Sequence, residues 1–189
     1  ALTLKDLFPK ALHLSVAAGI RSDSIAHWLG TDRVVRAMPN TPAIVGRAVT
    51  GVAAGERATD WAVDVTRELF ETVGKVLVLD ESKIDALSTI SGSGPAYVFY
   101  LIEQMTKAAK HQGFSDEDAA LLVNETFLGA AKLLVASDKS PEALRKQVTS
   151  PNGTTERAIA RMSETDLESM FIEATDAALA RARELAAGK

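Results

Sequence analysis

The feature that most constrains the fold is a change of pattern near residue 80. Before it, short apolar runs typical of strands alternate with runs whose apolar residues recur at helical intervals. After it the strand-like runs stop, and the remaining segments all have helical spacing. Alternating strands and helices predict a layered α/β arrangement, whereas helices alone must bury their apolar stripes against one another. The sequence therefore predicts an α/β part over residues 1–80 and an all-α part over residues 81–189.

Each short run in the first part has the composition expected of one strand or one helix. The run "LHLSVAAGI" is apolar and ends in small residues, and "RVVRAMP" stops at a proline. Ser22 is the expected N-cap of the first helix and Gly30 its stop. The second helical run spaces four apolar residues at helical intervals, namely Trp61, Val65, Leu69 and Phe70. Strands are predicted over 12–20, 33–39, 48–55 and 75–80, and helices over 22–30 and 58–74.

The second part begins with a helical stretch that small residues interrupt. Ser115, followed by an acidic first turn, and Ser140, followed by Pro141, are expected N-caps of later helices. The predicted helices cover 83–114, 115–137, 140–150, 154–162 and 164–189.

Composition excludes several classes of protein. The net charge of −4 gives no sign of a nucleic-acid or membrane surface, and no apolar run approaches the roughly 20 residues of a membrane span. The absence of cysteine rules out disulfides and thiolate catalysis and is compatible with the cytoplasm. The chain starts "ALTLKDLFPK", without an initiator Met or a signal-peptide pattern, so we expect a trimmed chain.

The glycine pattern bears on nucleotide binding. A dinucleotide-binding domain should open with a strand, then G-x-G-x-x-G, then a helix, and no such fingerprint precedes residue 11. The Gly-x-Gly at Gly92–Gly94 follows no strand-like run. We interpret it as a helix kink or a close helix contact, with a phosphate loop as the alternative.

The segment "SPNGTT" carries the clearest chemical signal. Ser150 to Gly153 form a turn by composition, and Thr154 and Thr155 then open a helix. A helix start offers unpaired N–H groups and a positive partial charge, which suit a carboxylate. The alternative is a plain N-cap in which threonine hydroxyls bind the backbone.

Four motifs in order carry a resemblance to a known family. They are "SVAAGI", "RAMPNTPAIVG", "SGSGPAYVFYLIE" and "VTSPNGTT", and together they resemble Δ1-pyrroline-5-carboxylate reductase over nearly the whole chain. The resemblance implies an α/β remnant, the C-terminal half of a Rossmann-type domain, over residues 1–80. It also implies an all-α helical dimerisation and substrate-binding domain over 81–189. The amino-terminal part with the glycine fingerprint is missing, so we expect a carboxy-terminal fragment with little or no activity alone.

The resemblance also implies a reaction. In the family, hydride passes from NADPH or NADH to the C=N carbon of pyrroline-5-carboxylate and gives proline, and the enzymes form homodimers or larger assemblies. The substrate nitrogen is basic enough to be partly protonated near neutral pH, so positioning can do most of the work. This fits the lack of a conspicuous catalytic Lys, His or Asp; the three histidines are expected to be structural or solvated, and no metal is expected.

Site residues follow from the matched motifs. The resemblance implies that Thr155 orients or protonates the ring nitrogen. The substrate-binding positions are Ser150, Gly153, Thr154, Thr155 and Asp138. The cofactor-binding positions are Val16, Ala18, Met38, Pro39, Asn40 and Gln147. Where the family usually has Gly-Gly, this chain has Asn152-Gly153, and we expect Asn152 to keep the turn because asparagine tolerates left-handed backbone geometry.

Each of these assignments has a structural alternative. The small residues after the first strand could serve tight packing, "MPNTP" could be an ordinary rigid turn, and Asp138 and Gln147 could be solvated. A different class of function is a non-catalytic helical dimerisation module. It would explain the apolar stripe of Leu121, Leu122, Phe127, Leu128, Leu133 and Leu134.

Overall fold

The computed structural model describes Leu7, Phe8 and residues 11–186. Its strands are β1 (His13–Ser15), β2 (Val34–Met38), β3 (Ala48–Ala54) and β4 (Gly74–Val78). Its α-helices are α1 (Ser22–Leu29), α2 (Asp60–Glu71), α3 (Ile84–Leu87), α4 (Gly94–His111), α5 (Asp116–Ala136), α6 (Pro141–Gln147), α7 (Thr154–Ser163) and α8 (Leu167–Ala186). Short 3₁₀ segments cover Thr41–Val45 and Glu81–Lys83, and a π-helical turn covers Ser88–Gly92. The predicted change from an α/β part to a helical part is confirmed.

The four strands form one sheet in the order β1-β2-β3-β4. Strand β1 is parallel to β2, β2 is antiparallel to β3, and β3 is parallel to β4. The antiparallel pair was not foreseen from the sequence. Its cause is the short link over residues 39–47, because a parallel return needs a crossover of about a dozen residues or more.

One face of the sheet packs against α2. The buried cluster there consists of Val35, Ala37, Val52 and Ala62. Helix α2 also buries Thr66, whose hydroxyl donates to the Ala62 carbonyl at 2.7 Å and is thereby satisfied. The apolar spacing predicted this helix correctly but not its buried face. Trp61 is 66% exposed and Leu69 is 52% exposed, whereas the small residues allow the close approach to the sheet.

The opposite face of the sheet carries a buried charge. Arg36 is 2% exposed and pairs with the carboxylates of Glu81 at 3.5 Å and Asp85 at 3.1 Å. The Glu81 carboxylate also accepts hydrogen bonds from the backbone N–H and the hydroxyl of Ser22, both at 2.6 Å. The prediction of Ser22 as N-cap was wrong: Arg21 holds that position and Ser22 is the first helical residue. Glu81, 59 positions away, caps the helix instead.

The described chain divides into two compact units. One combines the residues up to Pro95 with those from Glu173 onward, and the other runs over Ala96–Ile172. In the second unit Ser115 and Ser140 cap α5 and α6 as predicted, accepting hydrogen bonds from the amides of Asp118 and Ala143. The predicted domain boundary between residues 80 and 81 follows secondary structure rather than compactness, and it stays a prediction.

Helix α5 meets a length-and-hydropathy criterion for a membrane span, although the sequence has no uninterrupted apolar run of that length. It has 21 residues, and an 18-residue window within it has a mean hydropathy of 1.5, so by length and composition it could cross a membrane. Polar residues such as Asn124 and Lys132 interrupt its apolar runs, which is why run lengths alone missed it. The criterion is weak evidence for a membrane span, since core helices of soluble proteins also meet it.

Candidate functional site

The start of α7 is open to an external acceptor. Gly153 is the N-cap of this helix and provides no side-chain hydrogen bond. Helices α2, α5 and α6 differ, because Thr59, Ser115 and Ser140 each accept a bond from the first turn. In the described chain the hydroxyls of Thr154 and Thr155 make no hydrogen bond to the backbone, so the plain N-cap alternative does not describe this loop. The first amides of α7 are left for a ligand or water.

The loop before α7 has a tightly defined geometry. Asn152 has φ +60°, the left-handed conformation expected of it. Its backbone N–H donates to the Glu156 carboxylate at 2.8 Å, an arrangement similar to one half of a capping box. The Gly153 N–H donates to the Ser150 carbonyl at 3.0 Å. A Cβ at position 153 would lie 2.5 Å from the Ser150 hydroxyl oxygen and 3.0 Å from the Ser150 carbonyl oxygen, so glycine allows the present Ser150 rotamer and this close turn.

The remaining residues predicted around this loop lie in the same unit. Asp138 is exposed between α5 and α6, and Gln147 is exposed at the last position of α6. Gln147, a predicted cofactor residue, therefore belongs to the unit of the substrate-binding residues. The other five predicted cofactor positions belong to the unit that contains the sheet.

The predicted cofactor residues of that unit follow two neighbouring parallel strands. Val16 and Ala18 come after β1, and Met38 and Pro39 lie at the end of β2. Because β1 and β2 are parallel, their carboxyl ends meet at one edge of the sheet, where ligands bind in open α/β sheets. Val16 is 56% exposed there.

A small cavity brings two of these residues together. Its volume is about 260 Å³, and it is lined by Ala18, Met38, Arg36, Ser93 and other residues. Val16, Pro39 and Asn40 do not line it. Sequence reasoning missed Ser88 and Thr89 in its wall, although they directly precede the "SGSG" motif. It also missed Ala178, Arg181, Ala182 and Leu185 of α8, which no local pattern connects with the sheet.

The "SGSGP" segment is a packing element rather than a phosphate loop. It lies in the π-helical turn and the start of α4, and the Ser93 N–H donates to the Ser88 carbonyl at 2.9 Å. A Cβ on Gly92 would lie 2.8 Å from the Ser88 hydroxyl oxygen and 3.8 Å from the Met38 methyl carbon. The tight contact at Gly92 is therefore with its own turn, and a Cβ on Gly94 would meet nothing within 4 Å, so these glycines do not make the close helix–helix contact that was one of the predicted interpretations. Single π-helical turns are frequent at functional sites.

Both polar atoms of the Asn40 side chain form hydrogen bonds with backbone groups. Its Nδ2 donates to the Ser91 carbonyl at 2.8 Å, and its Oδ1 accepts from the Val49 N–H at 2.9 Å. The side chain thus connects the exit of β2 to β3 and to the π-helical turn.

The ionisable groups with shifted pKa values lie away from these residues. The hydrogen bond from Arg21 lowers the pKa of Asp23, and the backbone N–H of Ser169 lowers the pKa of Asp166. Among the residues that the structure describes, no group of three or more His, Asp or Glu side chains could hold a metal ion. The open start of α7 and the carboxyl-end edge of the sheet are the two candidate binding sites that the predicted residues mark.

Comparison with known proteins identifies the family. Residues 81–185 match the family described as pyrroline-5-carboxylate reductase dimerisation. The pyrroline-5-carboxylate reductase of Pseudomonas aeruginosa is 43% identical over 182 residues, which cover 95% of this chain and 67% of that protein. The chain belongs to the pyrroline-5-carboxylate reductase family. The reductase of Arabidopsis thaliana is 40% identical over 91% of this chain.

Solved structures of this family have the same fold. A pyrroline-5-carboxylate reductase from Coxiella burnetii matches with a TM-score of 0.90 at 39% identity, covering 96% of this chain and 69% of that one. The Plasmodium falciparum enzyme, solved with NADP bound, matches with a TM-score of 0.86 at 24% identity, covering 97% of this chain and 74% of that one, and supports the fold alone. The chain spans 62% of the Arabidopsis relative and 67% of the Pseudomonas relative. The region matched to dimerisation includes all of α5.

Proposed function

We propose that the protein takes part in the reduction of pyrroline-5-carboxylate to proline, with NADPH or NADH as the hydride donor. The observation that carries the proposal is the uncapped start of α7, beside Ser150 and Thr155, in a chain of this family. A small cyclic acid needs a site for its carboxylate, and the free amides of a helix start provide one.

The residues of the loop have separate roles in this proposal. The first-turn amides of α7 hold the carboxylate, and the Ser150 hydroxyl, which lies beside Gly153, donates a further hydrogen bond to it. Thr155, which is half-buried, orients the ring nitrogen through its hydroxyl. Since the protonated imine carbon is already electrophilic, the protein mainly has to bind and orient the substrate. Asp138 is proposed to contact the substrate from the loop between α5 and α6.

The sheet edge is proposed to hold the nicotinamide end of the dinucleotide, which supplies the hydride when bound. The local chemistry fits a flat ring, because Ala18 has a small side chain and Met38 offers an apolar one in the lining of the cavity. Val16, Pro39 and Gln147 complete the proposed cofactor contacts, and Asn40 is proposed to act through the backbone segments that its side chain connects.

Reductase activity tests the function. We would extend the chain at its amino terminus with the corresponding portion of the Pseudomonas relative and measure NADPH and NADH oxidation with pyrroline-5-carboxylate. Thr155→Ala should lower kcat/KM roughly tenfold through loss of one hydrogen bond to a charged group, and Thr155→Ser should retain most activity. The matched control is Thr72→Ala, which removes an exposed hydroxyl bonded only to the Leu69 carbonyl.

The outcomes of that assay separate two claims. A folded, dimeric extended protein without turnover would contradict the proposed reaction. Unchanged kinetics for Thr155→Ala would remove only the role of Thr155. The 189-residue chain alone should show little or no activity, and tight NADPH binding by it would contradict that expectation.

We also propose that the chain forms a homodimer through its second unit. An apolar groove of about 1010 Å³ runs along this unit, and its lining includes Val98, Ile102, Met105, Phe127, Leu128, Leu134 and Leu144. Leu128 is 46% exposed and Leu134 is 40% exposed, an apolar surface that a partner would bury.

Light scattering checks the dimer. The unaltered chain should have about twice the 20.1 kDa mass of one copy, and Leu128→Lys with Leu134→Lys should reduce it to one. Leu69→Lys, at a similarly exposed leucine in the other unit, should leave the dimer intact. A dimer that survives the double substitution would place the interface elsewhere.

A dimerisation module with no catalytic role is the second candidate function. The apolar groove supports it as well as it supports the reductase, and the turnover assay separates the two. The cytoplasm is the proposed location, since a sequence without cysteine suits a reducing compartment.

A further inference from the structure

Asn40 connects three segments that the sequence keeps apart. It lies two residues after the end of β2, accepts a hydrogen bond from Val49 in β3, and donates one to the Ser91 carbonyl, 51 positions further along the chain. Both bonds are short and go to backbone groups. The amide oxygen and one of the two amide N–H groups are therefore engaged, which leaves a single N–H for any ligand.

The carbonyl that Asn40 binds belongs to the π-helical turn. This turn and the residue after it contribute Ser88, Thr89 and Ser93 to the wall of the small cavity, where Ala18 and Met38 also lie. A Cβ built on Gly92, which belongs to this turn, would lie 3.8 Å from the Met38 methyl carbon. A π-helical turn departs from the regular hydrogen-bond pattern of the α-helices on either side, so an outside bond to its carbonyl helps to fix its conformation.

We propose that Asn40 is a positioning residue: by holding the π-helical turn against the exit of β2, it sets the wall of the cavity in which Ala18 and Met38 receive the nicotinamide. The proposal rests on the proposed function for the identity of that ligand. It assigns Asn40 an indirect role in place of the direct cofactor contact that the family resemblance implies. Loss of the bond to Ser91 should weaken dinucleotide binding and leave the handling of pyrroline-5-carboxylate unchanged.

Two substitutions separate the two bonds of Asn40. Asn40→Asp keeps an oxygen that can accept from the Val49 N–H, but it loses the donor and sets a carboxylate against the Ser91 carbonyl. Asn40→Ser is too short to make either bond, and it carries no charge in case the carboxylate disturbs folding. Thr59→Ala is the matched control, because it removes another bond between a side chain and the backbone, at the start of α2 and away from the cavity.

Amide hydrogen exchange on the 189-residue chain tests whether Asn40 fixes the π-helical turn, and this measurement does not depend on enzyme activity. Asn40→Asp should speed exchange in residues 88–93 roughly tenfold while the Val49 amide stays protected. Asn40→Ser should speed exchange at both places. Thr59→Ala should speed amide exchange only in the first turn of α2. Unchanged exchange over residues 88–93 in both Asn40 variants would overturn the proposal, whether or not the protein proves to be a reductase.

Dinucleotide titration and kinetics on the extended protein test the consequence. Asn40→Asp should raise the Kd for NADPH or NADH roughly tenfold and leave the KM for pyrroline-5-carboxylate unchanged. Equal changes in both constants, or an unchanged Kd despite faster exchange, would overturn the positioning role. An extended protein that binds the dinucleotide but turns over no substrate would contradict the proposed reaction, while the exchange and Kd results would still decide the role of Asn40.

Discussion

Replacing Gly153 with alanine should lower the kcat/KM of the extended protein about a hundredfold. The added Cβ would lie 2.5 Å from the Ser150 hydroxyl oxygen and 3.0 Å from the Ser150 carbonyl oxygen, so the hydroxyl must rotate away and the turn ahead of α7 must shift to relieve the contact. That movement displaces both the Ser150 hydroxyl and the first amides of α7. Displacements of about 1 Å in groups that position a substrate can cost on the order of a hundredfold in rate. Steady-state kinetics with pyrroline-5-carboxylate measure the effect.

The control for this prediction lies at the other end of the same helix. Ser163→Ala removes an exposed hydroxyl that donates to the Ile159 carbonyl, and its activity should equal that of the unaltered protein. Circular dichroism should show that Gly153→Ala retains its helices. Full activity in Gly153→Ala would show that the geometry of this loop is irrelevant to turnover, and the assignment of the carboxylate site would then fail.

Replacing Arg36 with methionine should lower the free energy of unfolding of the 189-residue chain by about 3 kcal/mol. Arg36 is 2% exposed, and its side chain balances Glu81 and Asp85 between the sheet and the segment that follows β4. Without the guanidinium, two largely covered carboxylates repel each other with no cation between them. Urea denaturation followed by circular dichroism measures the loss.

Two further variants make the Arg36 prediction specific. Arg57→Met removes the ion pair with Asp32 between side chains that are 74% and 53% exposed, and it should change stability by less than about 1 kcal/mol. Adding Glu81→Gln and Asp85→Asn to Arg36→Met should restore part of the loss, because no uncompensated charge then remains. A loss below about 1 kcal/mol for Arg36→Met alone would contradict the importance given to this cluster.

Local patterns were sufficient for most of the secondary structure, although the strand predicted over 12–20 was wrong in length, since β1 covers only His13–Ser15. The ends of β2 and β3 fall within about a residue of their predicted limits, since a proline and glycines mark them. Ser115 and Ser140 were correct as N-caps because the amides they bind lie three residues away. Ser22 has the same local signal, but its hydroxyl and amide bind a carboxylate from a distant segment, which no local pattern can show.

The features of the candidate site also fall into those that the local sequence could predict and those that depend on the tertiary fold. The left-handed Asn152 could be predicted, because that conformation depends on the residue itself and its turn. The lining of the cavity by α8 and the bond from Asn40 to Ser91 depend on the tertiary fold and could not. Family resemblance supplied the names of site residues in both units, and their roles stay predictions until the variants are measured.

The uncapped start of α7 has a consequence for substrate choice. Backbone amides recognise a carboxylate by its charge and geometry, and they do not sense the size of the ring to which it is attached. Under the proposed function, selectivity between five- and six-membered cyclic imino acids must then come from the side chains that face the ring, of which Thr155 is the one within the 152–155 loop. An effort to redirect the enzyme toward larger rings should preserve this loop and vary its neighbours.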